Sequence, residues 1–181
     1  MPSETSESNP TKPVVKLIRR IKNSLIKIDS EFKQQWHHYL IQSVLAALCF
    51  MLVLWVFNDE EMVITTSIGA STFIVFAMPK AVTAQPRSLI GGYLIGLAVG
   101  SLSLAIPHET FLPTIAVYAA VVGVAMLLMV VTDTEHPPAC GIALGVAISG
   151  WSWWVGLTIV ITAVILTIVH ISLARYLKDL V

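Results

Sequence analysis

Two stretches of this chain, residues 117–131 and 153–173, contain no Asp, Glu, Lys or Arg. A helix needs an apolar run of about twenty residues to cross a hydrocarbon core about 30 Å thick. Charged residues make up only 12% of the sequence, against about 25% in soluble domains. The chain therefore reads as an all-α polytopic membrane protein. No soluble domain fits outside the apolar runs, so its function is expected within the bundle.

The balanced net charge hides an asymmetry. Lys12, Lys16, Arg19, Arg20, Lys22, Lys27 and Lys33 place seven of the eleven basic residues before residue 34. Residues 1–13, rich in Ser, Thr, Pro and Glu, are expected to form a disordered tail. From Val14 to Phe32 apolar residues recur every three or four positions between the lysines and arginines. That pattern predicts a basic amphipathic helix over 14–35, lying on the anionic inner leaflet. The transmembrane bundle is expected over 36–181. No apolar core precedes it that would mark a cleavable signal peptide. Trp36, His37, His38 and Tyr39 read as an interfacial belt, with the histidines as interfacial polar residues rather than metal ligands. Cys49 and Cys140 both lie in apolar stretches and imply no disulfide framework.

Six segments follow, at about 40–57, 62–78, 88–106, 113–131, 138–149 and 153–173. The fifth is short. Twelve helical residues rise only about 18 Å, so the segment looks re-entrant taken alone. The charges argue for a crossing. If the basic N-terminus is cytoplasmic, Lys80 and Arg87 also fall inside, and the connections at 58–61, 107–112 and 150–152 carry no Lys or Arg. A crossing fifth segment keeps Arg175 and Lys178 inside as well. Both termini are thus expected in the cytoplasm. The short fifth helix would be completed by non-helical backbone, which protein surroundings tolerate. Two groups of three segments in opposite orientation suggest a 3+3 inverted repeat, whose middle members, "SIGASTFIVF" and "PPACGIALGV", are both rich in small residues. Gly92, Gly96 and Gly100 on the third segment, and Gly141, Gly145 and Ser149 on the fifth, form small faces. They read as internal helix contacts, with a homo-oligomer interface as the second reading.

Polar groups within a membrane bundle are costly and point to function. Two clusters stand out, "TAQPRS" at 83–88 and "TDTEHPP" at 132–138, both expected on the cytoplasmic side. Pro138 suits the first turn of a helix. The amides of Ala139, Cys140 and Gly141, after the Pro137–Pro138 pair, would then face an anion. Arg87, with Gln85 beside it, would add positive charge, and His136 a donor that titrates near neutrality. Gly69, Ala70 and Ser71 of the second segment would approach from the other side. The competing reading makes Arg87, Asp133 and Glu135 ordinary charges at the membrane surface. His170 reads as a packing or snorkelling residue. Asp133 and Glu135 would repel an anion unless they pair with Arg87 or Lys80, or tune His136.

The stretches "EHPPACGIAL" and "TAQPRSLIGGYLIGLAVG", with "GASTFIVFAMP" before them, resemble the signatures of the HPP family of integral membrane proteins, over about residues 36–175. Cys140 stands where the family commonly has glycine, and Ser88 where asparagine often follows Gln-Pro-Arg. Members in chloroplast envelopes and cyanobacteria are associated with nitrite transport. The resemblance thus implies a small-anion transporter or channel with nitrite as cargo, in a bacterial inner membrane or a plastid-type envelope. It implies no enzyme activity, no cofactor and no nucleic-acid partner. Two other readings stand beside it. One is a membrane scaffold docking through its basic helix. The other is an intramembrane metalloenzyme using His136, Asp133 and Glu135, for which no His-Glu-x-x-His pair is present.

Overall fold

A computed structural model describes residues 32–57, 62–107 and 110–181. The expected tail over 1–13 and residues 14–31 of the expected amphipathic helix lie outside the described residues. The chain divides into two units, Met1–His37 and His38–Val181. In the first, Gln35 departs from helical geometry (φ −124°, ψ 16°), and the rings of Trp36 and His37 meet edge-on at 6.2 Å.

Six α-helices form the described structure: α1 (Phe32–Phe57), α2 (Met62–Ala77), α3 (Pro86–Ser103), α4 (Phe111–Val131), α5 (Pro138–Ser149) and α6 (Trp153–Leu173). A single 3-10 turn, Val82–Ala84, sits between α2 and α3. Stretches of α1, α4 and α6 are long and apolar enough to cross a membrane, while α2 and α5 are shorter apolar helices. The third helix starts two residues earlier than the apolar pattern suggested. Pro86 occupies its first turn, where a missing N–H costs nothing.

The helices alternate in direction. The second unit's part of α1 starts beside the end of α2 and the last residues of the chain. There the Gln42 amide donates to the carbonyls of Phe76 (2.6 Å) and Lys178 (2.9 Å), and the Leu180 amide donates to the Ala77 carbonyl (2.8 Å). At the same end, His170 near the end of α6 meets the Pro79 carbonyl at 2.8 Å. Helix α5 is followed by Gly150, with φ 86°, at the opposite end, where Gly145 faces Ile64 near the start of α2. Its twelve residues are supplemented by the non-helical stretch 133–137, which enters the protein ahead of it. Thr134 and His136 in that stretch are buried.

Helix α5 is the centre of the unit and touches α2, α3 and α4. Contact with α3 is backbone to backbone. A Cβ on Gly96 would lie 2.5 Å from the Ala139 carbonyl oxygen, and one on Gly100 would lie 2.5 Å from that of Ala143. On its other side, Gly141 and Gly145 of α5 face Ser67 and Ile64 of α2. The glycine rows thus serve internal contact. The middle helices α2 and α5 run antiparallel against each other, and so do the third members α3 and α6, as an inverted repeat requires. Much of α1 and α4 faces outward, exposing residues such as Leu48, Met51, Met126 and Leu127, which suits a lipid-facing periphery. Trp153 and Trp154 are exposed near the Gly150 end, as suits an aromatic belt at a membrane interface.

Two glycine substitutions separate these roles. Gly96→Leu should destabilise by about 1–3 kcal/mol or more, because it drives a side chain into the α5 backbone. Gly123→Ala on α4, whose Cβ meets nothing within 4 Å, should be neutral or stabilise by about 0.5–1 kcal/mol. Thermal unfolding in detergent reads both, and equal melting temperatures for the two variants would contradict the close contact of α3 and α5.

Candidate functional site

Four parts of the chain meet at the start of α5. Gly92 of α3 leaves room for His136, since a Cβ there would lie 2.6 Å from the histidine Cβ. The imidazole Nδ1 lies 2.8 Å from the Thr83 carbonyl in the α2–α3 connection. Its Nε2 lies 2.8 Å from Ser71 Oγ on α2. The Tyr93 hydroxyl of α3 donates to the same Ser71 oxygen at 2.9 Å, and its ring lies 5.6 Å from that of His136. Ser71, Tyr93 and His136 are all 0% exposed.

The partners fix the tautomer. A carbonyl can only accept, so Nδ1 carries a proton, and in the neutral ring Nε2 accepts from the Ser71 hydroxyl. With Nδ1 donating and Nε2 accepting, the closed bundle holds the ring neutral, where the sequence suggested a donor titrating near neutrality.

Arg87 lies at the rim. One guanidinium nitrogen is 3.2 Å from Asp133 Oδ2, with the two side chains 66% and 71% exposed, and the other donates to the Thr132 carbonyl at 2.8 Å. Asp133 takes φ 56°. It follows the last turn of α4, where the Thr134 amide reaches the Met129 carbonyl (2.9 Å) and its own amide reaches that of Val130 (3.3 Å). This is a Schellman ending with Asp in the place that usually takes glycine. The pairing resolves part of the charge conflict seen in the sequence, since Arg87 balances Asp133. Glu135 keeps one buried carboxylate oxygen without a partner.

The remaining expected residues divide. Ser71 joins His136. Gly69 instead faces Phe50 of α1, while Ala70 and Gln85 are exposed. Residues 69–71 lie inside α2, so their amides belong to the helix. At the start of α5 the Ala139 amide donates to the His136 carbonyl (2.8 Å) and that of Cys140 to the Pro137 carbonyl (3.1 Å). These amides, expected to be free for an anion, are engaged in the first turn. Pro137 is exposed, and Pro138, Cys140 and Gly141 are partly buried. The sequence reading missed Tyr93 and the Thr83 carbonyl. A tyrosine inside a glycine-rich apolar helix was the available signal, because its hydroxyl needs a partner at that depth.

Asp133→Gly offers a clean check on the rim. An exposed ion pair is worth about 0.2–1 kcal/mol, and the left-handed backbone costs a non-glycine residue about 1–2 kcal/mol. The variant should therefore unfold at the same temperature as the wild type or slightly above. A marked drop would mean that the Arg87 pair carries the fold.

A profile of the HPP transmembrane region matches residues 31–179. A transmembrane protein of Dictyostelium discoideum is 31% identical over 99 residues, 55% of this chain and 32% of its own length. A second one from the same organism is 36% identical over 87 residues, 48% of this chain and 30% of its own length. The chain thus matches about a third of these relatives. No solved structure matches. With six helices, three of them long and apolar enough to cross a membrane, and the His-Pro-Pro turn buried among them, the chain is an integral membrane protein that belongs to the HPP transmembrane family.

Proposed function

We propose that this protein moves a small anion across its membrane, with nitrite the first candidate, through a seam centred on Ser71, Tyr93 and His136. The observation that carries this reading is the buried polar cluster itself. Two hydroxyls and an imidazole at the meeting of the two middle helices are costly in an apolar bundle and mark a solute path. The family resemblance supports nitrite as cargo. The hydroxyls of Ser71 and Tyr93 are donors that can turn toward an anion.

Arg87 acts at the mouth in this scheme, raising the local anion concentration from its exposed position. Asp133 tempers that charge. The positive-inside pattern puts this mouth and both termini in the cytoplasm. The membrane is a bacterial inner membrane or a plastid-type envelope, and homo-oligomers fit the broad outward faces of α1 and α4.

Initial uptake of nitrite, nitrate, chloride and formate into proteoliposomes, corrected for protein-free vesicles, tests the reading. Protein-dependent nitrite flux is expected, and none for any of the four anions would overturn it. Tyr93→Phe should slow flux several-fold, the equivalent of about 1 kcal/mol for one lost hydrogen bond. Arg87→Ala should slow uptake at low ionic strength and approach wild type as salt rises, because exposed charges are screened. Arg87→Lys should keep most of the rate. Cys140→Ala should have no effect.

A further inference from the structure

Among the described residues, His136 is the one ionisable side chain hydrogen-bonded into the buried seam that can become a cation. The five helices α2 to α6 carry only Arg87, Tyr93, Tyr118, Cys140 and His170 as ionisable residues. Arg87 is engaged at the rim by Asp133 and Thr132. His170 is held by the Pro79 carbonyl. The groups against the imidazole are Ser71 from α2, Tyr93 from α3 and the Thr83 carbonyl. Glu135 precedes it in the chain, and α4 contributes no charge. Among the described residues, an anion that reaches Ser71 therefore meets no fixed positive charge, and an uncompensated buried charge costs several kilocalories per mole.

The geometry around Ser71 supplies what is missing. Its Oγ lies 2.8 Å from His136 Nε2 and 3.0 Å from the Ser67 carbonyl. One hydroxyl proton can serve only one of these acceptors. With the ring neutral, the hydroxyl donates to Nε2. With Nε2 protonated, the imidazolium donates to Ser71 Oγ and the hydroxyl turns to the Ser67 carbonyl. Both protonation states are satisfied by rotating one hydroxyl, without moving a helix, and Nδ1 stays on Thr83 throughout.

We propose that His136 Nε2 binds a proton that travels with the anion, so that the protein is a proton–anion symporter; this rests on the transport reading above. The proton arrives from the aqueous phase at the open mouth, resides on Nε2 while the anion occupies the seam, and leaves on the other side with it. The empty, closed bundle favours the neutral ring. Acid and anion thus load the same state together.

The test uses the full chain in liposomes with a pH dye inside and the membrane potential set by potassium and valinomycin. Initial protein-dependent nitrite uptake is measured against an imposed pH gradient and, separately, an imposed potential. Symport predicts protein-dependent acidification of the lumen with uptake, a rate raised by external acid, and no response to potential. His136→Gln, which can hydrogen-bond but not titrate, should lose the response to the pH gradient. Uptake by the wild type that follows potential and carries no proton overturns the coupling and leaves anion transport standing. So does an unchanged pH response in a folded His136→Gln. No flux of any anion overturns the transport reading itself, and the symport with it. The wild-type measurements decide even where the variant does not fold.

Discussion

The approach of α5 to α3 governs the rest of the molecule. Residues Gly96 and Gly100 let the two backbones meet so closely that a single Cβ would collide with a carbonyl. Lipid is as apolar as the side chains, so helices in a membrane gain little by burying leucine; close backbone contact and polar partners supply the association instead. A twelve-residue helix could not hold its place by length alone. It holds because α3 lies against one face and α2 against the other.

That contact also determines where the polar groups go. Once α5 is seated against Gly92, the His-Pro-Pro turn has no route around the bundle and enters it. The histidine is then surrounded by α2, α3 and the α2–α3 connection, and each supplies one partner: Ser71, Tyr93 and the Thr83 carbonyl. His170 repeats the device from α6, taking the Pro79 carbonyl of the same connection. Two buried imidazoles thus hold carbonyls of the α2–α3 connection, those of Thr83 and Pro79. In a hydrocarbon setting, such carbonyls need a donor from elsewhere in the protein.

The fold was largely legible in the sequence. Apolar run lengths and the proline positions matched the six helices, the short α5 among them. The four-residue glycine spacing gave the internal contact. The site was legible only in part. His136 and Ser71 stood out as polar residues among small ones, yet no local pattern links positions 65 residues apart. Tyr93 was hidden because an aromatic residue in a span usually reads as apolar filling. The amides of Ala139 and Cys140 were misjudged for a local reason. Pro137 adopts helical angles (φ −50°, ψ −38°), so the turn closes on itself earlier than a proline pair suggests, and the amides find carbonyls at once.

On the transport reading, the same geometry lets an acid-rich motif border an anion path. Asp133 points to the rim, where its charge is spent on Arg87 and largely screened by water. His136, three residues on, is sealed among hydroxyls and carbonyls, out of reach of bulk solvent. The left-handed backbone at Asp133 is what divides the two environments, because it turns the chain from the end of α4 toward the interior within one residue. An anion coming from the rim would leave a neutralised pair and enter a seam that is polar but uncharged. Such a seam offers hydrogen bonds to many solutes and charge compensation to none until it takes up a proton. On the transport reading, discrimination among anions then depends on size and hydrogen-bond geometry at Ser71 and Tyr93 rather than on a fixed cation.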